Sequence, residues 1–340
     1  MKDVGIGVVG LGRLGYVHAY NIARSSNGKL VAVCDVDENR ARETASELGC
    51  LSYTAIEKML ENKDIDAVCV VTPTAYHVDP VTAVVKTGKP LFCEKPLGSN
   101  IEENLHLAKL INDAGVFCQI GFQRRFDPAY AQAKELIKAG AIGAPVYVYS
   151  VSRDPFPPPP WACDPTKGGG LFIDMLLHDF DISRYLIGDD VVRVFADETN
   201  LVVDSQGINR FSDNVTVNTH FQNGALGNFH ASMHASYGYD VRTEVFGANG
   251  SIAIGGLNRI ELTICKENSG VCMPRTFLPE GKMPHFMLRF QEAYAKEMEL
   301  FIQCVMDRTP SLVDQNDAVA AFKISLAAIE SAGKKKPVEL

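Results

Sequence analysis

Val4-Gly5-Ile6-Gly7-Val8-Val9 runs without a break into Gly10-Leu11-Gly12-Arg13-Leu14-Gly15. The reading of these twelve residues decides the architecture. An apolar, β-branched run is a strand, and the helical pattern over Arg13–Ser25 begins as soon as it ends. Between them, Gly10 allows a tight turn, Gly12 lets backbone approach a pyrophosphate, and Gly15 lets helix pack on strand. The helix N-terminus then presents free N–H groups and a partial positive charge to phosphate. Asp35 closes the next strand about 20 residues on, where a ribose-binding acid belongs. Gly10, Gly12, Arg13, Leu14, Gly15 and Asp35 are therefore candidate cofactor residues. The competing reading, glycines that only turn the chain, gives no reason for the strand before, the helix after and the acid beyond.

Asp35 also chooses the cofactor. Its carboxylate accepts from ribose hydroxyls and repels a 2′-phosphate, and Asp37 and Glu38 add two acids with no adjacent arginine. Arg40 and Arg42 stand a helical turn later and are expected to point to solvent. NAD is favoured over NADP.

Outward from this loop, short apolar runs alternate with helical patterns. Strands are expected at Leu30–Val36, Ile65–Val71, Pro90–Cys93 and Val116–Ile120, and helices at Glu38–Leu48, Tyr76–Thr87 and Ile101–Ala114. Strands apolar on both faces and joined by helices make a doubly wound parallel sheet, assigned to residues 1–122. From about residue 145 the strands lengthen and alternate, as in Val215-Thr216-Val217-Asn218-Thr219-His220-Phe221. Turn signals such as Gln222-Asn223-Gly224 separate them. Residues 123–340 thus read as an α+β domain on an open, largely antiparallel sheet, with helices at Pro128–Ala139, Leu171–Leu186, Phe286–Asp307 and Asn316–Ala332. The run Phe156-Pro157-Pro158-Pro159-Pro160-Trp161 is a stiff, extended loop.

Three segments gather polar groups. Thr72-Pro73-Thr74-Ala75-Tyr76-His77 follows a strand of the first domain, where ligands bind in open α/β sheets; His77 either faces the cofactor or caps its own helix. Glu94-Lys95-Pro96 ends another such strand, and its lysine either lies at the mouth of the same cleft or is a solvated surface residue. Asp174 and His178 sit at i and i+4 on one helix amid Leu171, Phe172, Ile173, Met175, Leu176 and Leu177. That apolar company predicts a buried pair, which is costly unless hydrogen-bonded or used. A carboxylate fixing an imidazole's tautomer makes a general base for an alcohol proton. The bland alternative is a pair that locks the helix in place. His230 and His234 share a strand face but read as ordinary strand residues, so no metal is expected.

Together, Gly10-x-Gly12-x-x-Gly15, Thr72-Pro73, Glu94-Lys95-Pro96 and Asp174-x-x-x-His178 resemble the glucose–fructose oxidoreductase, inositol dehydrogenase and rhizopine-catabolism superfamily. Gly121-Phe122-Gln123-Arg124-Arg125-Phe126-Asp127, Ser152-Arg153-Asp154-Pro155, His178-Asp179-Phe180-Asp181 and Tyr237-Gly238-Tyr239-Asp240 resemble its inositol 2-dehydrogenases. The resemblance implies Lys95, Asp174 and His178 as the catalytic set, with His178 taking a hydroxyl proton as hydride leaves for the nicotinamide. It implies Thr72, Pro73, His77, Glu94 and Lys95 beside the cofactor, and Arg125, Asp154, Tyr237 and Tyr239 on the hydroxyls of a cyclitol. Myo-inositol is the expected substrate, with scyllo-inositol, a pyranose or a modified sugar as alternatives. A homotetramer through the open sheet is also implied. Ile173 departs from the arginine that many of these enzymes carry before the aspartate, and Phe156 and Trp161 make the proline loop bulkier than a polyol requires. A different class, an NAD-binding redox sensor without turnover, would need none of Lys95, Asp174 and His178.

Composition excludes other classes. The 340 residues carry 33 Lys and Arg against 41 Asp and Glu, a formal charge of −8, which argues against nucleic acid or an anionic membrane as partner. No apolar run approaches the ~20 residues that span a bilayer, and no secretion signal is read at Val4. Nine cysteines without C-x-x-C predict reduced, structural thiols and a cytosolic protein.

Overall fold

The computed structural model describes residues 3–155, 169–201, 212–256, 259–266 and 285–340. The proline run from Phe156 to Trp161, with Cys163 and Cys272, lies outside them. The chain forms two compact units: residues 1–126 with 292–319, and residues 127–291 with 320–340.

In the first unit, β1 (Val4–Val9), β2 (Gly28–Cys34), β3 (Leu51–Tyr53), β4 (Ala67–Val70), β5 (Leu91–Glu94) and β6 (Cys118–Gly121) form one sheet in the order β3-β2-β1-β4-β5-β6. Every pairing is parallel. This is a Rossmann sheet, with strand order reversing beside β1. Strands β1, β4, β5 and β6 are buried at every position, the physical basis of their unbroken apolar reading. Helices α1 (Arg13–Ala23), α2 (Glu38–Leu48), α3 (Ile56–Leu60), α4 (Val78–Thr87) and α5 (Ile101–Ala114) connect them.

The division of the chain differs from the sequence expectation in two ways. The first unit extends to residue 126 rather than 122, and it takes back residues 292–319. The cause is the helix Gln291–Asp307 (α9). Its Met298, Phe301 and Ile302 join Ile6, Val8, Ile22 and Phe92 in one buried cluster. An amphipathic helix buries its apolar stripe against whichever core it meets, and periodicity alone does not say which.

In the second unit, β7 (Pro145–Arg153), β8 (Val191–Thr199), β9 (Asn214–Phe221), β10 (Leu226–Ser232), β11 (Asp240–Gly247), β12 (Gly250–Gly256), β13 (Arg259–Lys266) and β14 (Val338–Glu339) form a second sheet in the order β13-β12-β11-β7-β10-β9-β8-β14. Only β7 and β10 pair in parallel; the other pairs are antiparallel. Helices α6 (Pro128–Lys138), α7 (Leu176–Ile187), α8 (Phe286–Arg289) and α10 (Gln315–Lys334) complete the helical set, α10 contributing its residues from 320 on to this unit. One sheet face is buried through Val148, Ser150, Val217, Phe229 and Val245, with Phe180 of α7 edge-on to Phe229 at 5.1 Å. On the other face Tyr147, Tyr149, Asn218, Glu244 and Phe246 are half-buried or exposed. Among the described residues, no helix is long and apolar enough to cross a membrane.

Candidate active site

The three glycines of the first loop meet three different surroundings. Gly10 has φ +87°, and a Cβ there would lie 2.7 Å from the Thr72 nitrogen; it makes the turn and brings the Thr72-Pro73 segment alongside. A Cβ on Gly15 would lie 1.8 Å from the Gly10 carbonyl oxygen, so the α1 backbone packs directly on the strand exit. A Cβ on Gly12 would meet no protein atom within 4 Å. Gly12 is the N-cap of α1 and supplies no side-chain cap to the leading N–H groups. A helix start with open N–H donors and an unobstructed approach is what a pyrophosphate needs, so the residues present fit a dinucleotide.

Asp35 is nearly buried, and its two oxygens are organised by backbone. Oδ2 accepts from the Leu11 amide at 2.7 Å and Oδ1 from the Asp37 amide at 2.9 Å. Arg40 folds back onto it, Nη1 standing 3.3 Å from Oδ1 and 3.4 Å from Oδ2. This corrects the expectation that Arg40 points to solvent: Asp37 caps α2 through the Asn39 and Arg40 amides, and that turn carries Arg40 back toward the strand end.

His77 is fully buried. Its Nδ1 lies 3.0 Å from the Pro96 carbonyl and its Nε2 2.8 Å from the Thr72 carbonyl. It makes no side-chain cap on α4. The ring braces two turns, Thr72-Pro73 and Lys95-Pro96, against each other. Burial lowers its proton affinity, partly offset by the Thr72 carbonyl. Glu94 is likewise buried and held by protein partners. Its Oε1 is 2.8 Å from His18 Nε2, and its Oε2 accepts from the Lys95 amide at 3.1 Å. Lys95 itself is half-buried and followed by a cis peptide to Pro96. His18 and Glu94 are separated by 76 positions, and His18 looks in sequence like one more residue on the buried stripe of α1.

In the second unit, Gly169 and Gly170 both take positive φ, and a Cβ on Gly169 would strike Ile173. Ile173 is thus packing over the glycine turn. Leu171–Met175 then forms a π turn leading into α7, so Asp174 lies in a widened turn rather than in a uniform α-helix. Between Leu171 and Phe180, Asp174 and His178 are the two partly exposed positions, and all the others are buried. The expectation of a fully buried pair is corrected: the apolar neighbours are inside, but these two side chains reach the surface of their unit. Asp179, the next residue, is buried and accepts from Ser150 Oγ at 2.5 Å and Ser152 Oγ at 2.7 Å, pinning α7 to β7.

The expected substrate contacts fall into two settings. Asp154 leaves β7 between backbone bonds to Ser232 and Ala235. Tyr237 is 37 % exposed, its hydroxyl accepting from Arg153 Nη1 at 2.9 Å and donating to Asp240 Oδ2 at 2.9 Å. The partly exposed Tyr239 precedes β11. These three lie at one end of the second sheet, because β7 and β10 run parallel and β11 enters beside them. His230 is an acceptor for Arg153 Nε at 3.1 Å, and burial, with Arg153 beside it, lowers its proton affinity. Arg125 is different. It is buried in the first unit, ion-paired to Asp317 at 3.0 Å and donating to the Leu312 carbonyl at 2.9 Å. Asp127, at the end of the same motif, caps α6 through the Ala129 and Tyr130 amides and pairs with Arg289 at 2.7 Å.

Comparison with known proteins adds to this geometry. Residues 4–122 match the model described as oxidoreductase family, NAD-binding Rossmann fold, and residues 130–253 match the GFO/IDH/MocA C-terminal domain. The chain is 39% identical over 337 residues to the scyllo-inositol 2-dehydrogenase (NAD(+)) of Bacillus subtilis, covering 98% of this chain and 95% of that one. It is 36% identical to the myo-inositol 2-dehydrogenase of Thermotoga maritima, covering 98% of each. Among solved structures, the scyllo-inositol dehydrogenase of Lactobacillus casei with bound NAD(H) and scyllo-inositol superposes with a TM-score of 0.84 at 29% identity, covering 99% of each chain.

Proposed function

The chain belongs to the GFO/IDH/MocA family of NAD-dependent oxidoreductases, and from that premise we propose that it oxidises one ring carbinol of an inositol to the ketone. The observation that carries the reading is the pattern at Leu171–Phe180, where Asp174 and His178 alone reach the surface from a buried segment. Two polar groups four positions apart on an otherwise apolar segment give that surface an imidazole and a carboxylate that can orient it.

The roles follow from the chemistry. His178 takes the hydroxyl proton, and Asp174 sets its tautomer and steadies the imidazolium that results. Lys95 donates to the carbinol oxygen and orients it. NAD, when bound, supplies the hydride acceptor. The α1 N-terminus and Gly12 receive its pyrophosphate, and Asp35 its ribose hydroxyls. Asp154 and Tyr239 hold the other ring hydroxyls, with Tyr237 extending its Arg153–Asp240 network to them. Arg125, whose guanidinium is engaged by Asp317 and Leu312, supports the site from within its own unit.

Myo-inositol oxidised at C2 is the leading substrate. The relative at 39% identity favours scyllo-inositol as a second reading, and both epimers give the same ketone. We place the enzyme in the cytosol, where the seven described cysteines stay free thiols, and assign the open sheet face to a homotetramer. The test is NADH formation over a panel of inositol isomers and hexoses. Turnover of an inositol should fall about 10²–10⁴-fold in His178→Ala and strongly in Lys95→Ala. Good turnover of a hexose with none of any inositol rejects the reading.

A further inference from the structure

Behind Lys95, three ionisable side chains from three elements meet in the core of the first unit. His18 comes from α1, Glu94 from the end of β5 and Glu297 from α9. Their ligand atoms all lie within 4.8 Å of one another, and His18 and Glu297 are fully buried. The fold makes deliberate room for them. A Cβ on Gly121 would lie 2.6 Å from Glu94 Oε2, so only glycine leaves space for that carboxylate beside β6. Gln119, two residues earlier, donates its Nε2 to the Glu297 carbonyl at 3.0 Å and fixes that turn of α9. The rings of Phe92 and Tyr294 stand edge-on to His18 at 5.0 and 5.8 Å.

The two carboxyl groups are served unequally. Glu94 has the His18 imidazole on one oxygen and the Lys95 amide on the other. Neither oxygen of Glu297 has a hydrogen-bond partner among the described residues. The one imidazole is already engaged by Glu94, and two adjacent buried carboxylates do not both stay ionised. We propose that Glu297 is a positioning residue for Lys95: as an uncharged carboxyl it lets His18 hold the Glu94 carboxylate in place, and Glu94 in turn fixes the amide from which the Lys95 side chain departs. This rests on the role given to Lys95 above.

Burial, reinforced by the charge of Glu94, raises the proton affinity of Glu297 well above the usual carboxylate range. His77, a buried neighbour of Glu94, has its own proton affinity lowered by burial. Cys69 on β4 and Cys93 on β5 are buried thiols whose own proton affinity is raised, chiefly by burial, with Glu94 adding to both and Glu297 to Cys69. Ionising Glu297 at high pH would set a second anion against Glu94, draw His18 between the two and release the Lys95 turn.

The test compares the full chain with Glu297→Gln, which is neutral and near-isosteric, and Glu297→Leu, which removes the polar group. At neutral pH the infrared difference between wild type and Glu297→Gln should contain a carboxylic-acid carbonyl band belonging to the wild type. The wild-type thermal midpoint should fall relative to Glu297→Gln as pH rises above the ordinary carboxylate value, because the folded state holds a proton that the unfolded chain releases. With an inositol as substrate, Glu297→Leu should lower kcat about tenfold and Glu297→Gln restore it. The alkaline limb of the wild-type kcat profile should be absent or displaced upward in Glu297→Gln. A missing acid band, parallel pH–stability curves, or Glu297→Gln as impaired as Glu297→Leu overturns the proposal, as does stoichiometric divalent metal in the purified protein that Glu297→Gln abolishes. If the wild type turns over no cyclitol, the functional reading fails by itself, while the infrared and stability arms still decide the state of Glu297.

Discussion

Asp127 carries two loads, one on each carboxylate oxygen. Oδ1 accepts the Ala129 and Tyr130 amides and so caps α6; Oδ2 takes Arg289 Nη1 at 2.7 Å, with both side chains about 3 % exposed. Losing an N-cap costs about 1 kcal/mol. Breaking a buried ion pair from one side costs about 3–5 kcal/mol, because the survivor is left charged without compensation. Arg289 is poorly placed to recover, since among the described residues its Nε and Nη2 have no hydrogen-bond partner and the Phe290 ring lies 4.4 Å from its guanidinium carbon. Asp127→Ala should therefore destabilise the second unit by about 4–6 kcal/mol. Asp127→Asn, which retains a capping oxygen, should cost about 1 kcal/mol less. The double variant Asp127→Asn with Arg289→Met should recover most of the loss, since removing both charges is close to neutral. At about 2–4 °C per kcal/mol for a unit of this size, thermal unfolding followed by circular dichroism should show a drop of about 10–20 °C for Asp127→Ala. Equal losses in the alanine and asparagine variants would refute the capping term. Additive losses in the double variant would refute the ion-pair term.

The glycine loop separates binding from folding. Gly15→Ala drives a Cβ into the Gly10 carbonyl and should cost at least about 1–3 kcal/mol, read as a lower thermal midpoint. Gly12→Ala meets no protein atom, so it should leave the midpoint unchanged and raise KM for NAD. Asp35→Ala removes a charged acceptor worth about 1.5–3 kcal/mol to a ribose. It should raise KM for NAD about 10–100-fold and narrow the preference over NADP, whereas Arg40→Ala, on a half-exposed side chain, should change stability by less than about 1 kcal/mol. Unchanged KM for NAD in Asp35→Ala would remove that residue from the cofactor site.

How much of this was legible in sequence depended on whether a signal was local. The loop from Gly10 to Gly15 and the sheet around it were readable, because strands buried on both faces show as unbroken apolar runs. Leu51–Tyr53 was missed because an exposed three-residue edge strand has no such run. Gly250–Gly256 is hard to read as a strand because its glycines signal a turn. The Leu171–Leu186 helix was visible, but the π turn at its start was not, since apolar spacing barely distinguishes the two periods. Motif residues were legible as a group and not in their individual tasks. Arg125, Asp127, His77 and Glu94 all stand in recognisable motifs, yet each spends its polar atoms on partners set by the fold. Glu297 had no local signal at all: only the return of α9 to the first core brings it to His18 and Glu94.

That return has a consequence for how the molecule is made. The first core is unfinished until the segment carrying Met298, Phe301 and Ile302 has been synthesised, and the second sheet takes its edge strand from Val338–Glu339. The first core cannot close before residues 298–302 are made, nor the second sheet gain its outermost strand before residues 338–339 are. Nascent chains must wait with their long-range partners unmet, and a gene cut cleanly between the two apparent halves would leave the first fragment without residues 292–319 of its own unit and the second carrying them with no core to pack on.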